Sequence, residues 1–172
     1  VRQRLKAGDT KPSVDPKRGL AIRRIKEAAA TNAKQMGTLL GPAAYEQARE
    51  GCQLAAQLGD DKLELLGRLE EGAALASFGN FGPASVAFER AVVLAKALGE
   101  NVSLANAWLG LGRAQAANTR YADAFASFEQ SRLALPEAVR SSGRPAVILA
   151  LQFGRLYAEL GDDTRAIAAL EE

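Results

Sequence analysis

The sequence predicts an all-α protein made of antiparallel helix pairs that stack on one another, and three observations support this prediction. Apolar residues recur at intervals of three and four, which is the spacing of a helix face and not the alternation of a strand. A pattern of residues repeats at offsets of 40 and 42. Alanine is abundant and aromatic residues make up only 6% of the chain, a composition that lets helices approach closely.

The repeat is clearest around three glycines and the apolar residues that follow them. Gly72, Gly112 and Gly154 each precede an alanine by 12 residues. Such self-similarity at a fixed period is typical of repeat architectures. The equivalent large apolar residues, each 16 positions after its glycine, are Phe88, Phe128 and Leu170.

Turn signals divide the chain into eight predicted helices. Glycine followed by proline, aspartate or asparagine marks most of the breaks. Asp15 followed by Pro16 is typical of a helix start, with the aspartate as cap and the proline in the first turn. The predicted helices span residues 16–37, 43–58, 61–78, 81–98, 102–117, 121–135, 145–160 and 163–172.

We predict one helical repeat domain over residues 16–172, preceded by a basic arm over residues 1–15 whose order the sequence leaves open. The repeats are expected near 16–60, 61–100, 101–142 and 143–172, the last of them truncated. The chain begins at Val1 and ends within a predicted helix, so we expect it to be part of a longer protein.

The composition argues against an enzyme. The chain has no histidine, which removes the commonest general base and metal ligand. Its one cysteine, Cys52, allows neither an intramolecular disulfide nor a cysteine-rich zinc site, and we expect it to be a buried apolar residue rather than a nucleophile. No glycine-rich phosphate loop follows a strand. We therefore predict no catalytic residue, no cofactor, no metal and no small-molecule substrate.

Charge is unevenly distributed along the chain. Residues 1–26 carry a net charge of +7, and the other 146 residues carry −5. A basic arm could contact nucleic acid, a membrane surface or an acidic partner. We prefer a solvated terminus, because residues 1–44 contain no aromatic side chain on which bases could stack. The lone thiol favours a reducing intracellular compartment such as the cytoplasm.

The stretch from Ala105 to Pro136 resembles the tetratricopeptide repeat. The residues that carry the resemblance are Trp108, Leu111, Gly112, Tyr121, Ala124, Phe128 and Pro136. The tyrosine usual in the first helix is Gln115 here, whereas the last unit has Tyr157. The period of 40–42 residues is similar to that of the extended-repeat subfamily. The resemblance implies a right-handed α-solenoid of about four repeats and about eight helices, with a concave groove lined by the first helix of each pair.

This resemblance implies an adaptor or scaffold that binds a peptide or helical segment of another protein in the groove. Helical spacing places one set of first-helix residues on the groove floor. The residues predicted to bind the partner are Glu70, Asn106, Leu109, Gly110, Arg113, Gln152 and Arg155. The two arginines occupy the same slot in adjacent units, where they could bind a carboxylate or phosphate, and the glycine would leave room for a peptide backbone.

Three alternatives to this interpretation stay open. The arginines could lie on a solvated face and pair with Glu70 or Glu159. The domain could be a regulatory sensor whose groove binds a small signalling peptide, as some extended-repeat proteins do. It could also form a homo-oligomer through an open C-terminal end, because Glu172 is not followed by the polar capping helix that a solenoid needs.

Overall fold

A computed structural model of the chain describes residues 15–34, 43–140 and 143–171. Helices form nearly all of these residues, and no strand occurs among them. None of the helices in these ranges is long and apolar enough to cross a membrane. The helices are α1 (Pro16–Lys34), α2 (Ala43–Leu58), α3 (Asp61–Ser77), α4 (Phe81–Leu98), α5 (Asn101–Ala117), α6 (Tyr121–Ala134), α7 (Glu137–Arg140), α8 (Arg144–Glu159) and α9 (Asp163–Glu171).

The all-α prediction is confirmed, and each of the eight predicted helices is found close to its expected bounds. The single turn α7 was not predicted. It follows Pro136, which has no backbone N–H to continue the hydrogen-bond ladder of α6. The basic arm over residues 1–15 lies outside the described residues except for Asp15, as do the predicted end of the first helix and Glu172.

Aspartate caps begin several of the helices. The side chain of Asp15 accepts a hydrogen bond from the backbone N–H of Lys17 at 2.8 Å, as expected from the Asp-Pro pair. Asp60 accepts from the N–H of Leu63 at the start of α3. At its C-terminal end, α4 stops at Gly99, whose φ of 67° lies in the left-handed region that favours glycine.

Consecutive helices pack against each other along the chain and form the pairs α1–α2, α3–α4, α5–α6 and α8–α9. The first helices of these pairs also contact one another in series, α1 with α3, α3 with α5, and α5 with α8. The first helices therefore form one layer of the stack. Contact between α6 and α8, across α7, is less extensive than contact between α4 and α5.

In each of the last three helix pairs, a large apolar side chain of the second helix packs against a glycine of the first helix. A Cβ atom on Gly72 would lie 2.8 Å from the ring of Phe88. On Gly112 it would lie 2.6 Å from the ring of Phe128. These contacts join the glycine and the large residue that recur together in the sequence, and they leave no room for any other side chain at the two glycines.

Aromatic residues join the third pair to the fourth. The rings of Phe125 and Phe153 are 5.2 Å apart between centroids, and those of Phe128 and Phe153 are 5.7 Å apart, both in edge-to-face geometry. Phe128 is almost completely buried. The interface between α6 and α8 thus rests on a compact group of rings.

We expect Gly112→Ala to lower the free energy of unfolding by about 1–3 kcal/mol, because the new methyl group would force Phe128 out of its position. Chemical denaturation followed by circular dichroism measures the change. Gly82→Ala is the matched control, since a Cβ atom there meets nothing within 4 Å. Equal stability of the two variants would contradict the tight packing at Gly112.

Candidate functional site: the face of the first helices

The predicted groove residues lie on α3, α5 and α8, the first helices of three successive pairs. Asn106, Arg113 and Arg155 are exposed to solvent. The other four, Glu70, Leu109, Gly110 and Gln152, are half-buried. The structure therefore places all seven on one layer of helices, with the two arginines at its accessible surface.

Apolar side chains accompany the arginines on these helices. Leu66 of α3 and Leu151 of α8 are 41% and 52% exposed, which is high for leucine. Both belong to the stripe that helical spacing assigns to the groove. The face thus offers apolar area next to positive charge.

Arg113 and Arg155 form no ion pair with any carboxylate of the described residues. Neither guanidinium lies within 4.0 Å of Glu70 or Glu159, the partners considered from the sequence. Most other arginines of the helices are paired, for example Arg120 with Asp123 and Arg132 with Glu129. The charge of the two groove arginines is therefore directed to solvent, where an anion could reach it.

Glu70 is held by the neighbouring helix α1. The side-chain amide of Asn32 donates to the Glu70 carboxylate at 2.7 Å and to the Glu70 backbone carbonyl at 3.1 Å. These two hydrogen bonds join α1 to α3 on the first-helix layer.

Gly110 has a different role from the one expected. A Cβ atom on Gly110 would lie 2.4 Å from the ring of Phe88, which also packs against Gly72. The space beside Gly110 is therefore filled by Phe88 of the preceding pair. The expectation that Gly110 leaves room for a peptide backbone is therefore wrong in the direction of its missing side chain. The ring of Phe88 already fills that space, so the glycine serves helix packing.

A charged cluster on the other side of α3 was not predicted. Glu64 is only 5% exposed and accepts hydrogen bonds from Arg90 of α4 at 3.0 and 3.1 Å, through both carboxylate oxygens. Arg68 contacts Glu64 at 3.4 Å and Glu71 at 2.8 Å. These four residues form the Glu64 cluster, in which each buried carboxylate has a cationic partner.

Three members of the Glu64 cluster could have been predicted from the sequence. Glu64, Arg68 and Glu71 follow one another at intervals of four and three, so they share one face of α3. The contribution of Arg90 depends on how α4 packs on α3, which spacing along one helix does not reveal. The position of the cluster between α2 and α4 makes it a structural feature of the stack.

Cys52 is buried beside this cluster, as the sequence predicts. It is 2% exposed, and its sulfur fills the space next to Gly67 of α3. Burial, followed by the negative charge of Glu71, raises the pKa of the Cys52 thiol to about 12. The thiol is therefore protonated at neutral pH, and the reactive thiolate that a nucleophile needs does not form.

Glu70 and Glu71, two acidic residues adjacent in the sequence, do not form a carboxylate pair. Glu70 accepts a hydrogen bond from Asn32 of α1, whereas Glu71 accepts one from Arg68 of α3 itself, so the two carboxylates have different partners. Asp60 caps α3 and contacts Arg18. Within the described ranges, no group of three or more potential metal ligands is found.

We expect Glu64→Gln to lower the free energy of unfolding at pH 7 by about 1–3 kcal/mol, because Arg90 and Arg68 lose their anionic partner. Hydrogen bonding from Arg90 holds the pKa of Glu64 below its ordinary value. The ionised carboxylate therefore contributes stability above its unfolded-state pKa of about 4.3, and this contribution is lost as the pH falls through the lower folded-state pKa.

Urea denaturation at pH 7 and in acid measures the pH dependence of this difference. The stability gap between the parent and Glu64→Gln should narrow as the pH falls, because the parent then loses the same charge. Glu159→Gln serves as control, since Glu159 is exposed and forms no ion pair with the described residues. A gap that stays constant down to acid pH would argue against an ionic role for Glu64.

Comparison with protein-family models and with curated protein sequences identifies no relative of this chain. No protein-family model matches the chain, and no curated protein sequence shows significant similarity to it.

Proposed function

We propose that this chain is a protein-interaction module of the tetratricopeptide type, which binds a peptide or helical segment of a partner protein on the layer formed by α3, α5 and α8. The observation that carries the proposal is the pair of exposed arginines on successive first helices, Arg113 and Arg155, which form no ion pair with the residues that the structure describes. Exposed Leu66 and Leu151 support it, since a partner would bury them.

The chemistry of this face favours a partner with acidic and apolar side chains. Arginine binds carboxylates through two parallel hydrogen bonds, so each of the two guanidinium groups could hold one acidic side chain. A first-helix layer of a stacked array gives an extended surface, which suits a segment of polypeptide better than a small molecule. Binding rather than catalysis is also the function that a chain without histidine favours.

We expect Arg113→Glu/Arg155→Glu to lose a partner that the parent protein retains in an affinity pull-down from source-cell lysate with mass spectrometry. Reversing both charges would repel the acidic groups that the arginines bind. Circular dichroism checks that helicity is unchanged.

The control for net charge is Arg49→Glu/Arg132→Glu, which makes the same change of charge on second helices α2 and α6. It also removes the exposed ion pairs with Glu46 and Glu129, which contribute little to stability, and circular dichroism checks this variant too. The control should retain the partner. A partner retained equally by the groove variant would contradict binding at the arginines, and loss from both variants would indicate an effect of net charge alone.

A second candidate function is self-association through α9. Ile167 and Leu170 of this helix are 58% and 55% exposed, and two large apolar side chains on one short helix favour burial against another surface. A second copy of the chain could supply that surface and form a homo-oligomer.

For this second candidate we expect the molar mass from sedimentation to rise with protein concentration, over about a hundredfold range, and Ile167→Glu to abolish the rise by placing a charge in the interface. Ala168→Glu, at an exposed position rotated by about 100° from Ile167 and about 160° from Leu170, should leave association unchanged. A monomer mass at every concentration would rule out self-association of this chain.

A further inference from the structure

The gap between successive second helices is filled differently at two equivalent places. Over α3, between α2 and α4, the Glu64 cluster occupies the gap. At an offset of 40, Glu64 corresponds to Leu104 and Arg68 corresponds to Trp108. Over α5 the chain therefore has an apolar and an aromatic side chain where the preceding unit has an ion network.

A depression lies beside Leu104 and Trp108, between α4, α5, α6 and α7. It has a volume of about 500 Å³, is open to solvent, and is lined by Lys96, Leu104, Trp108, Leu133, Glu137 and Arg140 among others. We call it the Trp108 depression. Leu133 at its edge is 51% exposed. The depression thus combines an aromatic surface with unburied aliphatic area.

Two cations border the Trp108 depression, and they differ in their partners. Arg140 donates to the backbone carbonyls of Leu133 and Leu135 and pairs with Glu137 at 2.8 Å, so it is fixed as part of the wall. Lys96 lies with its Nζ 5.1 Å from the centroid of the Trp108 ring. No carboxylate of the described residues lies within ion-pair distance of Lys96, in contrast to Lys62, which pairs with Glu100 at 2.6 Å.

The depression lies on the opposite side of α5 from the groove arginine. Successive residues of a helix are rotated by about 100°, so Trp108 and Arg113, five positions apart, point about 140° from each other. The contacts agree with this placement, because Trp108 packs against a buried cluster formed mainly by residues of α3 and α4, while Arg113 is exposed. A ligand on Trp108 would therefore not occupy the first-helix groove.

We infer that the Trp108 depression is a second interaction site, which binds an acidic segment of a partner protein by placing an apolar side chain against Trp108 and an adjacent carboxylate beside Lys96. Charge complementarity selects the acidic partner, because Lys96 is the cation of this site that has no described anionic partner. The open shape favours a side chain delivered by a polypeptide, since sites for small molecules enclose most of their ligand.

Trp108 is the only tryptophan of the chain, so its fluorescence reports directly on this site. The probe is the blocked peptide acetyl-Ala-Glu-Leu-Phe-Glu-Ala-amide, which has no tryptophan or tyrosine of its own. We expect the peptide to change Trp108 emission in a saturable titration. Calorimetry on Arg113→Glu/Arg155→Glu, whose groove no longer attracts acidic peptides, should give the same affinity. A peptide with both glutamates replaced by lysine, and one with Leu-Phe replaced by Ser-Ser, should each bind at least about tenfold more weakly.

The protein variants separate this site from the groove. Lys96→Glu should weaken binding of the acidic peptide by about tenfold or more, the factor expected for one charge-assisted contact, without loss of helicity because Lys96 is exposed. Arg113→Glu/Arg155→Glu should show the same peptide-dependent change of Trp108 emission as the parent, because this emission reports on the Trp108 depression and not on the groove. The inference is overturned if the acidic peptide gives no saturable change, if the lysine peptide binds equally well, or if Lys96→Glu binds as tightly as the parent.

Discussion

The packing of a large side chain against a glycine of the preceding helix sets the distance between the two helices of a pair. Phe128 over Gly112 and Phe88 over Gly72 leave no space for a Cβ atom on either glycine. Phe88 also packs against Gly110 of the next first helix. One ring thus holds its own pair together and joins it to the following pair, so the stacking of α3, α4 and α5 depends on the small residues around it.

The fold could be predicted from the sequence because its main determinants are local or periodic. The glycine and its large partner recur at a constant separation of 16 residues, and turn residues such as Gly99 mark the helix ends. The short helix α7 was not predicted, because a single turn has too few residues to show a periodic pattern. Assignment to the tetratricopeptide family stays a prediction, which rests on the motif around Trp108 and Gly112.

The candidate site could be predicted only in part. The repeat offset of 42 residues predicted Arg113 and Arg155 to occupy equivalent positions on two first helices, and both are exposed there. The hydrogen bonds from Asn32 to Glu70 and the packing of Phe88 on Gly110 connect residues of different helices. Such contacts depend on the rotation and register of one helix against another. The pattern of a single helix carries no information about either quantity, and the same limit applies to Arg90 in the Glu64 cluster.

The limited contact between α6 and α8 has a consequence for cooperativity. In a stacked array the free energy of unfolding is a sum of terms for each unit and for each interface between neighbours. A smaller interface couples α8 and α9 less strongly to the rest, so this pair can open locally while α1–α6 stay folded. Arg155 would move away from Arg113 in that opening. A ligand that contacts both arginines would therefore stabilise the closed array, and its affinity would include the free energy of docking the last pair.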